Sequence, residues 1–172
     1  MFDPSSVTDS LSAVLTQAIS ESQTFGGDSP PVSARHPREP RASDTELNVF
    51  LFRLGWDMHT SNGPVSRDST PGPTLPSARL PFAANLWYLI SAQSKTSSVR
   101  EQQLLGVVMQ CLYDNPRIQL SAETSDHPRV EPRHASVTPE LLGVDELSAI
   151  WRALQAPLRA ATVYRVSTNV ED

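Results

Sequence analysis

The chain has 172 residues, of which 38% are apolar, 6% aromatic and 19% charged, material for one modest hydrophobic core and a single domain. A formal net charge of -5 with no run of basic residues argues against a nucleic-acid surface, which gathers Lys and Arg on one face to neutralise phosphates. The lone cysteine, Cys111, excludes an intramolecular disulfide and a cysteine-based metal cluster, and no apolar stretch approaches the roughly 20 residues that cross a bilayer.

In chain order, residues 6–22 read as an amphipathic helix. Ser6 and Asp9 form a capping-box pattern, and Val7, Leu11, Val14, Leu15, Ala18 and Ile19 recur at helical spacing. Gly26-Gly27 is expected to stop it. Residues 28–44 mix four prolines with arginine and small polar side chains and show no period, as a loop or a disordered stretch would.

Residues 46–56 (ELNVFLFRLGW) read as a strand with apolar side chains on both faces, the pattern of a strand covered on both sides. A Pro/Ser/Thr-rich loop follows at residues 60–77, then a second two-sided strand at 80–92 (LPFAANLWYLISA), with Pro81 at its entry. Ser98 and Glu101 form another capping box. They open a helix apolar around more than half its circumference, from Leu104 to Leu112, and Asp114-Asn115-Pro116 ends it. A short strand is expected at 118–120, an irregular segment at 121–136, a short helix at 144–154 and a closing strand at 162–170 (TVYRVSTNV).

These elements predict an α+β fold, an α/β sandwich in which a small mixed, mostly antiparallel sheet packs with two to three helices. One domain spans residues 1–172, with long Pro-rich or irregular loops at about 26–44, 60–79 and 121–137. The 15 prolines set against seven glycines fit such long connections between few regular elements. Lys95 is the only lysine, so arginine carries the positive charge, which suits bidentate pairing at protein surfaces. No charged segment followed by an apolar one opens the chain, so a cytoplasmic protein is expected.

No catalytic constellation stands out: G-x-S-x-G, P-loop, H-E-x-x-H and dinucleotide fingerprints are all missing. Cys111 lies in the apolar helix, where cysteine behaves as a small hydrophobe. His36, His59, His127 and His134 fall in or beside polar loops, and the spacing of the last two does not suit zinc. Asp145 and Glu146 sit where a helix dipole favours acid. Arg35, Arg38 and Arg41 are diluted by Glu39 and Asp44, so a solvated loop is the default over an acid-binding one. No catalytic residue, cofactor or metal ligand is expected. Two strands apolar on both faces need more cover than a few helices supply, which leans towards burial against other subunits.

Four segments in this order resemble the domain at the N-terminus of tail-terminator (cap) proteins of extracellular contractile injection systems, the phage-tail-like particles. They are T-E-L-N-V-F-L-F-R-L (45–54), L-P-F-A-A-N-L-W-Y-L-I-S-A (80–92), Q-L-L-G-V-V-M-Q-C-L-Y-D-N-P (103–116) and D-E-L-S-A-I-W-R-A-L-Q-A-P-L-R-A-A-T-V-Y-R-V (145–166). The resemblance implies a non-enzymatic structural protein that assembles as a six-fold ring, closes the distal end of the inner tube and anchors the last sheath layer. Its partners would be copies of itself, the sheath protein and the inner tube protein, with no nucleic acid and no membrane; it would be cytoplasmic, assembled into the particle. Sheath subunits in such machines are linked by exchanged strands, and a sheet edge can accept one through main-chain hydrogen bonds. The closing strand, with Thr162, Val163, Tyr164, Arg165, Val166, Ser167 and Thr168, or the edge it borders, is the expected joint. A contractile-phage terminator or connector, and an assembly adaptor or chaperone, are the alternatives.

Overall fold

A computed structural model describes residues 3–40, 42–56, 83–120 and 134–168. The first helix, α1 (Pro4–Glu21), begins two residues before the expected start at residue 6, because Asp3 caps it and Pro4 occupies the first turn. The Asp3 carboxylate accepts from the Ser5 amide at 2.9 Å, and proline has no amide there to leave unsatisfied. Val7, Leu11, Leu15 and Ile19, one every fourth residue, are fully buried. The helix also ends earlier than expected. Ser22 turns extended, and the Gly26 amide donates to the Ser22 carbonyl at 2.9 Å. Gly26 is needed for the turn that follows: a Cβ there would lie 3.1 Å from the Ser22 oxygen and 3.2 Å from that of Ser20.

Six strands form one sheet: β1 (Val32–Ser33), β2 (Thr45–Trp56), β3 (Ala84–Ser94), β4 (Arg117–Gln119), β5 (His134–Glu140) and β6 (Ala161–Ser167). Their order is β1-β2-β3-β6-β5-β4. Every pair is antiparallel except β1 with β2. The helices α1 and α2 (Ser98–Asp114) cover one face, and α3 (Val144–Ala153) covers part of the other.

This two-layer cover explains the apolar character of both strand faces. On β3, Leu86, Tyr88, Ile90 and Ala92 enter the main core with α1 and α2. Leu89, between them, joins Val163 and Trp151 in a smaller core under α3, with Trp87 packed against it. Strand β2 alternates in the same way until a bulge at Phe52, where the pairing passes from Leu51↔Tyr88 to Arg53↔Trp87. The extra residue turns Arg53 onto the α3 side of the sheet.

Two local details depart from the sequence pattern. The cap of α2 is Ser97, whose hydroxyl accepts from the Arg100 amide; Glu101 reaches further back, to the Ser94 amide at 2.7 Å. Strand β5 lies partly in the segment expected to be irregular. It carries only Ala135 and Val137 into the core, and its Pro139 reads as a breaker. Pro139 is tolerated because β4 pairs only with residues 134–136 of β5, so that side of the strand needs no ladder donor at 139. The expected spans of the second and last strands run into residues 80–82 and 169–170, which lie outside the described residues.

The Pro-rich segment before β2 is held by buried polar groups. Glu46, 5% exposed, accepts from the Ser33 hydroxyl and from the Ala42 amide at 2.9 Å, and faces Arg35 at 3.7 Å. The Asn48 amide donates to the Arg35 carbonyl at 2.8 Å. A buried carboxylate is stable only when its oxygens are occupied in this way, so strand β2 organises a loop that has no regular structure of its own beyond β1.

The Tyr88 hydroxyl lies 2.9 Å from the Thr8 hydroxyl at the start of α1. Burial pushes its pKa up to about 12, against the opposing effect of that hydrogen bond. An unfolded tyrosine ionises near 10, so between about pH 10 and pH 12 the unfolded state has released a proton that the folded state keeps, and stability falls as pH rises. Denaturant titrations are expected to show Tyr88 contributing a loss of about 1.4 kcal/mol per pH unit across that window. Tyr88→Phe should remove this contribution, at a cost near neutral pH of about 1 kcal/mol for the lost hydrogen bond.

Candidate assembly surfaces

Strand β6 does not present a free edge. It pairs with β3 along its length and, over residues 163–167, with β5 on the other side, so over those residues its main-chain donors and acceptors are taken up within the sheet. Val163, Tyr164 and Val166 are buried in the two cores. Thr162, Arg165, Ser167 and Thr168 are half-buried. Thr168 closes the strand end by accepting from the Ala84 amide at 3.0 Å, and Ser167 donates to the Asn85 side chain. Arg165 Nε stands 3.3 Å from Glu140 Oε1, an ion pair without hydrogen-bond alignment.

The sheet's outer strands are β1 and β4, of two and three residues. Strand β1 pairs only with Leu47 and Asn48 of β2. Among the described residues, the outer edge of β2 over residues 49–56 therefore has no strand beside it. The Leu47 amide points outward, donating to the Pro31 carbonyl at 3.0 Å; by the alternation of a strand, the amides of Val49 and Leu51 point the same way. The bulge at Phe52 interrupts that row, a device that commonly limits indiscriminate edge pairing. Leu54 and Trp56, at the end of the edge, are 54% and 72% exposed. The sequence signal for this edge was the length of β2 beside a loop too short in apolar residues to cover it.

Two further surfaces are defined by the layers. On the α3 side of the sheet, Arg53 lies over the Trp87 ring at 4.2 Å. Gly55 lies under the same ring, since a Cβ there would meet it at 3.1 Å, so an indole is clamped flat on the sheet. On the other side, a groove of about 540 Å³ runs between the C-terminal halves of α1 and α2, with Ala18, Gly106, Val107 and Cys111 along it and Glu21 and Asp114 at its rim.

Several of the residues weighed for chemistry have structural partners. His36 packs edge-on against Phe50 with centroids 5.1 Å apart and its Nδ1 accepts from the Arg38 amide, so it is a packed residue rather than a solvated one. His134 opens β5 and is exposed; His59 and His127 lie outside the described residues. Arg35 is drawn to Glu46, and Arg38 donates to Gln155 at 2.6 Å, while Arg41 lies outside the described residues. Glu146 accepts from the Gly143 amide at 2.9 Å, capping α3. Among the described residues no group of three or more His, Cys, Asp or Glu is placed to hold a metal ion, and no helix is long and apolar enough to cross a membrane.

Residues 6–171 match the Pvc16 N-terminal domain family. The chain belongs to that family. Its fold matches the sheath/tube terminator of PVC, an extracellular contractile injection system, in the extended state, with a TM-score of 0.60 at 16% identity over 100% of this chain and 58% of that one. It also matches the tube-terminating cap of the anti-feeding prophage, with a TM-score of 0.56 at 15% identity over 96% of this chain and 55% of the cap. The chain thus spans less than two-thirds of either protein. A search of curated protein sequences finds no match.

Within this Pvc16 N-terminal domain, Cys111 is the one thiol. Burial raises its pKa above the ordinary thiol value, and the Asp114 and Glu21 carboxylates add to that, against a lowering hydrogen bond from Asn115. A thiol so held is a poor nucleophile near neutral pH. Ellman's reagent at pH 8 should therefore modify Cys111 markedly faster in urea than in the native chain. Equal rates in the two states would show that the thiol is accessible and ionised as folded.

Proposed function

We propose that this chain is a structural tail terminator of a contractile injection system, closing the distal end of the inner tube and anchoring the last sheath layer. The observation that carries this reading is the membership of residues 6–171 in the Pvc16 N-terminal domain family, together with a fold shared over the whole chain with a sheath/tube terminator. The chemistry supports it: burial suppresses the thiol, Glu146 caps α3, and Arg35 and His36 anchor the loop before β2. The role is non-enzymatic. It rests on apolar and hydrogen-bonding surfaces that meet other subunits within the particle.

In this reading the chain assembles as a six-fold ring and contacts both sheath and inner tube protein. Arg165 and Ser167 serve it by side chain, from the open part of the sheet face, with Thr162 and Thr168 at the two ends of β6. The sheath strand seats on the edge of β2 at residues 49–51, where the amides of Val49 and Leu51 point outward.

Electron microscopy of particles from cells lacking this protein tests the reading. Missing sheath, ragged ends or uncontrolled tube lengths are expected. Normal, capped particles of regular length would overturn it.

A further inference from the structure

Among the described residues, charge is unevenly spread between the two sides of the sheet. The helical layer, residues 3–28 and 97–114, contains Asp3, Asp9, Glu21, Asp28, Glu101 and Asp114 against a single base, Arg100, which is itself tied to Asp28 at 3.1 Å. Glu21 and Asp114 are the last residues of α1 and α2 and border the same groove. Both stand at the negative end of a helix dipole, with no basic residue in either last turn. Acid is disfavoured there within one chain, whereas a cation from outside would meet two carboxylates and two sets of terminal carbonyls together.

On the opposite side, α3 carries Asp145 and Glu146, and the sheet face beyond it carries arginine. Helix α3 covers only the end around Leu89 and Val163. Beyond it, the register places Arg53, Trp87, Arg165 and Thr138 in one row across the strands, and Gly55, Asn85, Ser167, Ser136 and Arg117 in the next. Arg53, Arg117 and Thr138 are exposed, and the rest of these side chains are only half-buried. Among the described residues, Glu140 is the acid paired with this patch. It is flat and arginine-bearing, and nothing among the described residues fills it.

We propose that the arginine face of the sheet docks on the acidic α1–α2 layer of a second copy of this chain, with arginine entering the α1–α2 groove. An arginine suits that site because its stem can lie along Ala18, Gly106 and Val107 while its guanidinium meets Glu21 and Asp114. The two surfaces lie on opposite sides of the sheet, so each copy uses a different face from its partner. That is a heterologous contact, which closes into a ring or runs on as a filament, in contrast to a two-fold dimer. The inference rests on the self-association proposed above and names its surfaces.

Sedimentation velocity on the full chain and two exposed-site variants tests it. Raising salt from about 0.1 M to about 1 M cuts the Debye length from about 10 Å to about 3 Å and should weaken wild-type association about tenfold. Glu21→Arg/Asp114→Arg and Arg53→Glu/Arg117→Glu should each be monomeric alone. Mixed in equal amounts they should assemble again, because the first presents two basic faces and the second two acidic ones. Recovery on mixing also shows that both variants are folded. Variants that assemble alone like wild type, or a mixture of variants folded by circular dichroism that stays monomeric, would overturn the proposal and leave the ring reading standing. A wild-type chain monomeric at every concentration would overturn both.

Discussion

Strand β3 has no free side. Strands β2 and β6 take its two edges, α1 and α2 bury Leu86, Tyr88 and Ile90 on one face, and α3 with Trp151 buries Leu89 on the other. Each fully buried side chain of this size contributes about 1.5–3 kcal/mol relative to exposure, so this single strand joins both cores and all three layers. The chain ordering follows from it. Helices α1 and α2 can lie side by side only because β3 offers them a continuous apolar row. The α3 segment must cross to the other face because that is where Leu89 and Trp87 point.

Burial on that second face is incomplete, and the reason lies in the sizes of the elements. Helix α3 has 10 residues, about 15 Å of axis at 1.5 Å per residue, and crosses strands of up to 12 residues, which extend about 40 Å at 3.3 Å each. Among the described residues, one end of this sheet face is therefore left mainly to polar side chains. The bulge at Phe52 turns Arg53 towards this region, where it packs on Trp87. An aromatic that would otherwise be an exposed apolar patch becomes a platform held between a guanidinium and a glycine.

How far the fold could be read from the sequence depends on how strongly each element is apolar. The two-sided patterns of β2 and β3 and the broad stripe of α2 were legible because many large side chains recur at the right period. The cap of α1 was missed by three residues because Asp3-Pro4 competes with a Ser6 pattern that looks equally good on paper, and only the chain's entry geometry decides between them. Strand β5 was not legible. Two small core residues and a proline give too weak an alternation, and the strand exists because β6 and β4 pair with it. The β6 interface illustrates the limit for the site: alternation identified a strand and could not say whether it lay at an edge or inside the sheet. That is a property of strand order, which depends on contacts between residues far apart in sequence.

Local and global requirements also disagree at the ends of α1 and α2. Placing Glu21 and Asp114 on the negative termini opposes each helix by about 0.3–1 kcal/mol at an exposed position, and Gln17 and Gln110 partly offset this by donating to those carboxylates from one turn earlier. Neutral amides satisfy the oxygens without removing the charge. The arrangement therefore keeps a negative field at the mouth of a groove whose walls are small and apolar, while the opposite sheet face keeps exposed arginine. A sequence selected only for the stability of the isolated chain would place a base in those last turns. Retaining acid there on two separate helices is what a subunit needs when part of its stability is supplied by a neighbour of the same sequence.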